Sequence, residues 1–65
     1  MLSQTVEYAL RAIVCIANET PRPVTNEQLA EVTKVPSAYL SKVTRGLNRA
    51  GLVISQRGPN GGLTL

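Results

Sequence analysis

The chain has 65 residues, with seven lysines and arginines against four glutamates, one cysteine, no histidine, and neither Trp nor Phe. At this length it is one domain whose aliphatic core hides only about 60% of the unfolded surface, and one cysteine excludes an internal disulfide and a cysteine-based zinc site. No apolar run approaches the roughly 20 residues that span a membrane, the start MLSQTVEYAL lacks the basic n-region of a signal peptide, and no nucleophile stands beside a base, so a cytoplasmic, bacterial-style, non-enzymatic protein is expected.

From Ser3 to Asn18 apolar residues recur at helical spacing. Val6, Leu10, Ile13 and Ala17 form one stripe, with Leu2, Ala9, Val14 and Ile16 beside it. Glu7 and Arg11 sit one turn apart on a narrow polar strip with Gln4 and Asn18, where they would form a supporting ion pair. Tyr8, Ala12 and Cys15 fall on a further face, so this helix is apolar over more than a small core covers. A C-terminal segment outside the chain, or a second protomer, is expected to pack there.

Glu19-Thr20-Pro21-Arg22-Pro23 breaks the helix and makes a connector. Thr25 with Gln28 three residues later reads as a capping box, opening a second helix over about Asn26 to Thr33. Thr33-Lys34-Val35-Pro36 is a turn, with Lys34 where many helix-turn-helix motifs place glycine. Ser37 is expected to cap a third helix that ends at Ala50 with Gly51 as its stop. Ala30 is small where the helices cross, and Leu40, Val43 and Leu47 form the buried stripe of helix three. Val53 and Ile54 open a strand, the tip Gln56-Arg57-Gly58-Pro59-Asn60-Gly61-Gly62 follows, and Leu63-Thr64-Leu65 begins the return. The expected fold is mainly α with a small β-hairpin: a winged helix-turn-helix of three helices plus a two-stranded wing. Ending inside a strand, residues 1–65 read as the DNA-binding part of a longer protein.

All four acids, Glu7, Glu19, Glu27 and Glu31, precede residue 32, whereas Lys34, Lys42, Arg45, Arg49 and Arg57 follow it. A purely basic second half suits a surface facing a polyanion. The outer face of helix three carries Ser37, Ala38, Ser41, Thr44, Arg45 and Asn48, with Lys42 and Arg49 at its margin. Entering a major groove N-terminus first, it would bring Ser37, Ala38, Ser41 and Lys42 to base edges, with Arg45 and Arg49 set for phosphates. Tyr39 borders the buried stripe, where its ring packs and its hydroxyl either reaches a phosphate or anchors the core. Gly58, Gly61 and Gly62 permit the positive φ of a tight tip, and Pro59 stiffens it. The result is a thin loop that presents Arg57 to a minor groove. The competing reading is a solvated cationic face, or a winged-helix interaction module docking an acidic protein. Cys15 reads as a small core hydrophobe rather than a sensor thiol.

MLSQTVEYALRA, LAEVTKVPSAYLSKVTRGLNRAGLV and SQRGPNGGLTL together resemble the IscR/NsrR-type family of bacterial winged-helix transcription regulators over essentially all 65 residues. The segment YLSKV…L…AGLV…S.RGP.GG is specific to that family. The resemblance implies a homodimeric repressor or activator on a pseudo-palindromic operator in double-stranded DNA. It places Ser37, Ala38, Tyr39, Ser41 and Lys42 on the major groove, and Arg57, Gly58 and Pro59 where the wing meets the minor groove and backbone. Asn60 departs from the glycine usual there but can still adopt positive φ. Many members sense redox state or nitric oxide through an iron–sulfur cluster on three cysteines beyond the wing; other members carry no cluster. Those positions do not exist here, so no cofactor is expected in this chain, and a cluster requires downstream cysteines. Glu7 falls where some members supply an acidic cluster ligand.

Overall fold

The computed structural model describes residues 3–65, so Leu2 lies outside the described residues. The elements run α1 (Gln4–Glu19), α2 (Asn26–Thr33), α3 (Ser37–Arg49), β1 (Ile54–Gln56) and β2 (Gly62–Thr64), the expected helices and hairpin.

α1 starts where the Ser3 hydroxyl accepts from the Val6 amide at 3.2 Å. It ends where the Thr20 amide and hydroxyl both donate to the Ile16 carbonyl, and the Thr20–Pro21 peptide is cis. Its buried face differs from the expected stripe. Ala12 and Ile16 are fully buried, with Tyr8, Ala9, Ile13 and Cys15 packed beside them. Val6, Leu10 and Val14 are 43–58% exposed, and Ala17 is exposed as well. Ala12 and Ile16 lie in one core cluster with Leu29 of α2 and Leu40, Val43 and Leu47 of α3. Arg11 does not pair with Glu7. Its guanidinium lies 5.6 Å over the Tyr8 ring and donates to the Thr33 carbonyl at 3.5 Å, where the partial negative end of α2 attracts a cation.

The expected capping box opens α2. The Gln28 amide donates to the Thr25 hydroxyl at 3.1 Å, and the Thr25 amide donates to the Gln28 side-chain carbonyl at 2.9 Å. At its other end Lys34 takes φ 62° and ψ 26°, and its amide bonds to the Ala30 carbonyl at 3.0 Å. A side chain in this left-handed region costs about 1–2 kcal/mol, and glycine's freer unfolded chain returns about 0.4–1 kcal/mol of that. Lys34→Gly is therefore expected to stabilise the fold by about 0.5–1 kcal/mol, a rise of several degrees in Tm for a domain this size. A lower Tm on thermal unfolding would refute strain at Lys34.

Pro36, not Ser37, occupies the cap of α3, and no side chain bonds there. The Pro36 carbonyl accepts the first helical bond, from the Leu40 amide at 2.9 Å, so Ser37 is already inside the helix. The helix ends at Arg49, with Ala50 as its cap. Gly51 follows at φ 77°, its amide bonding to the Asn48 carbonyl and the Leu52 amide to the Leu47 carbonyl, both at 3.0 Å. That pair of bonds is the Schellman closure, which demands a residue tolerant of positive φ.

Leu40, Val43 and Leu47 of α3 meet Leu29, Val35, Ala12 and Ile16, and Val24, Val53 and Leu63 close the core from the wing side. β1 and β2 are antiparallel in the register Ile54↔Thr64, Ser55↔Leu63 and Gln56↔Gly62. Val24 adds one residue of a third strand, exchanging two bonds of 3.0 and 2.8 Å with Leu63. This close approach explains Gly62, since a Cβ there would lie 2.8–2.9 Å from the Val24 backbone.

Candidate nucleic-acid interface

α3, the wing and the start of α2 enclose one open groove. α3 contributes Ser41, Arg45, Asn48 and Arg49, the wing Ser55, Gln56 and Arg57, and α2 Thr25, Asn26 and Glu27. Lys42 is exposed on the same helix. Among the described residues the single ion pair is Arg22–Glu19, at 3.7 Å. Lys42, Arg45, Arg49 and Arg57 thus have no carboxylate within ion-pair distance, and their charge is left for an anion from outside.

Along α3 the expected residues separate by environment. Ser37 and Ala38 are exposed at its first turn. The Ser41 hydroxyl donates to the Ser37 carbonyl at 3.1 Å, leaving its lone pairs available to a donor. Thr44, expected on the outer face, is buried at 5% exposure. Its hydroxyl lies 3.3 Å from the Asn26 side-chain carbonyl and 3.2 Å from the Ser41 carbonyl. The start of α2 crosses α3 at this point and covers it, so Thr44 is a joint between helices. Tyr39 is half-buried and stands edge-on to Tyr8, with ring centroids 5.2 Å apart at 87°, a favourable aromatic geometry. Its hydroxyl shares a hydrogen bond with the Thr5 hydroxyl, so it faces the first turn of α1.

The wing tip is a turn closed by the Gly61 amide on the Gly58 carbonyl at 3.0 Å. Pro59 takes the second position of that turn, which its fixed φ suits. Gly58 has φ 107°, whereas neither Gly61 nor Asn60 has positive φ. Asn60 therefore needs no glycine-like freedom. Gly61 is constrained by space instead, since a Cβ there would overlap the Gln56 carbonyl. Arg57, Gly58 and Pro59 are all exposed.

Thr25, Asn26, Glu27, Ser55 and Gln56 line the groove without having been expected there, and Asn48 was expected only on the outer face of α3. Glu27 puts a carboxylate on the rim, at the first turn of α2, where its charge complements the helix dipole. The Asn48 amide donates to the Ser55 hydroxyl, joining α3 to the wing. The place of Glu27 on the rim and the Asn48–Ser55 bond have no sequence signal, because both depend on how the elements dock.

Cys15 is half-buried and free. Burial, and secondarily the Glu19 carboxylate, push its thiol pKa up, which disfavours the reactive thiolate. No three His, Cys, Asp or Glu side chains converge among the described residues. Their donor set does not fit an iron ion or an iron–sulfur cluster, and Glu7 has no companion ligands. No described helix is long and apolar enough to cross a membrane.

Residues 2–65 match the model of the Rrf2 family, described as iron-dependent transcriptional regulators. A protein of Aquifex aeolicus, provisionally named an HTH-type transcriptional regulator, is 42% identical over 65 residues, which are all of this chain and 45% of that protein. The HTH-type transcriptional repressor NsrR of Streptomyces coelicolor is 33% identical over 66 residues, covering 98% of this chain and 45% of the repressor. The chain thus spans about half the length of the curated relatives it matches. The solved structure of T. potens IscR superposes with a TM-score of 0.91 at 32% identity, covering all of this chain and 48% of that one.

Proposed function

The chain belongs to the Rrf2 family of transcriptional regulators, and from that premise we propose that it is the DNA-binding part of a cytoplasmic, homodimeric repressor. α3 enters the major groove with Ser37, Ala38, Ser41 and Lys42 toward base edges, and Arg45 and Arg49 lie against phosphates. Tyr39 holds the start of α3 on α1. Arg57, backed by Gly58 and Pro59, reaches into the minor groove. Two copies present these surfaces to half-sites about 34 Å apart. The carrying observation is the groove between helix and wing, lined by Arg45, Arg49 and Arg57, none of which has a described carboxylate within ion-pair distance.

Anisotropy titration of operator DNA at several salt concentrations tests this reading. Each phosphate neutralised contributes about −0.9 to the slope of log affinity against log salt, so four cations give about −3 to −4 per protomer. Affinity independent of salt would refute the assignment. Random duplex competing as well as the operator would favour the module that docks an acidic protein.

A further inference from the structure

The two strands of the wing that carries Arg57 are held unequally. β2 is well anchored: Leu63 exchanges two backbone bonds with Val24, and the Leu65 amide just after it donates to the Thr20 hydroxyl at 3.2 Å. β1 is different, since Ile54, Ser55 and Gln56 are all exposed. Gln56 reaches Thr64 across the hairpin at 3.4 Å, a bond within the wing itself. Among the described residues, the Asn48–Ser55 bond is the one side-chain hydrogen bond between α3 and the wing. Ser55 lies on β1 two residues before Arg57, and both line the groove with Asn48.

We propose that Asn48 and Ser55 form a latch that sets the distance between recognition helix and wing, making Asn48 a positioning residue for Arg57 in minor-groove readout. The inference rests on the DNA-binding reading. An amide and a hydroxyl suit the task, because a neutral bond exposed to solvent constrains the wing without cancelling the charge of Arg49 or Arg57. A carboxylate in place of either would draw an arginine inward. The last full turn of α3 holds Asn48 firm, as the Asn48 carbonyl also takes part in the Schellman closure.

The test uses the purified protein on paired operators, with either A·T or G·C pairs under the wing. Asn48→Ala and Ser55→Ala are each expected to weaken binding to the A·T operator about 3- to 10-fold, the range for losing one net hydrogen bond. The double variant should be no weaker than either single one, and Ser55→Thr, which keeps the hydroxyl, should bind as the parent does. In an Arg57→Ala background neither alanine should add a loss. Additive losses, or the same loss without Arg57, would overturn the latch and make Asn48 a direct DNA contact. Unchanged affinity in both alanine variants would overturn it too.

A second readout needs no DNA. Backbone order parameters at Arg57 and Gly58 should fall from about 0.85 toward about 0.6 in Asn48→Ala. A wing that stays rigid in both alanine variants refutes the latch. A wing that loosens in a protein binding no duplex refutes the DNA-binding reading and leaves the latch standing.

Discussion

Leu40→Ala is expected to remove about half of the domain's stability. Leu40 is fully buried on α3 and is among the largest side chains at the centre of the core. Truncating such a leucine costs about 2–5 kcal/mol through lost transfer energy and the cavity left behind. At about 0.05–0.15 kcal/mol per residue, a chain of 65 residues holds only about 3–10 kcal/mol in all. At mid-range the loss therefore takes up about half of the stability, enough to lower the melting temperature by many degrees. Val32→Ala is the matched control: Val32 is 66% exposed, so its truncation should change stability by no more than about 0.5 kcal/mol. Circular-dichroism melts of both variants decide the matter. A Leu40→Ala melt within a few degrees of the parent would show that the site collapses and that the core is less constrained than its burial indicates.

Arg57→Ala is expected to lower operator affinity about 10- to 100-fold, corresponding to about 1–3 kcal/mol for a specific groove contact. Preference for A·T pairs under the wing should fall with it, since a narrow minor groove concentrates the negative potential an arginine senses. The salt slope should shrink by about one, as one cation is removed. Arg57→Lys separates charge from shape. It should restore the salt slope but only part of the A·T preference, because an ammonium is more strongly hydrated than a guanidinium. Anisotropy titrations on A·T and G·C operators measure both quantities. Unchanged affinity and preference in Arg57→Ala would remove the wing arginine from the interface, leaving α3 to act alone.

Where local chemistry governs, the sequence was a reliable guide. Thr25 with Gln28, Gly51 after α3 and Gly58 at the wing tip each serve a backbone need that neighbouring residues reveal, whereas Gly61 lacks the expected positive φ and Gly62 answers to the Val24 backbone. Burial on α1 was less legible, because nearly every face of that helix is apolar and periodicity cannot choose among them. The choice fell to Ala12 and Ile16, which share their core cluster with residues of α2 and α3. Thr44 was read as outward-facing for a related reason: its position on α3 is right, but the start of α2 covers it. Ser37 looked like a cap by residue type, yet Pro36 had already supplied the first helical carbonyl. Of the candidate site, the cations and the wing tip were readable as types in a pattern. The bond between Asn48 and Ser55 was not, since their seven-residue separation spans a helix end and an irregular turn with no periodicity of its own.

The bridge between Val24 and Leu63 gives the wing a particular mechanical character. β2 is bonded to β1 on one side and to the segment leading from α1 into α2 on the other, so the hairpin's root is part of the path joining the first two helices. The end of α1 is joined to the same root, since the Thr20 hydroxyl accepts from the Leu65 amide. The arm that carries Arg57 thus has one strand rooted in the connector between the first two helices, while the Asn48–Ser55 bond ties its other strand to the third.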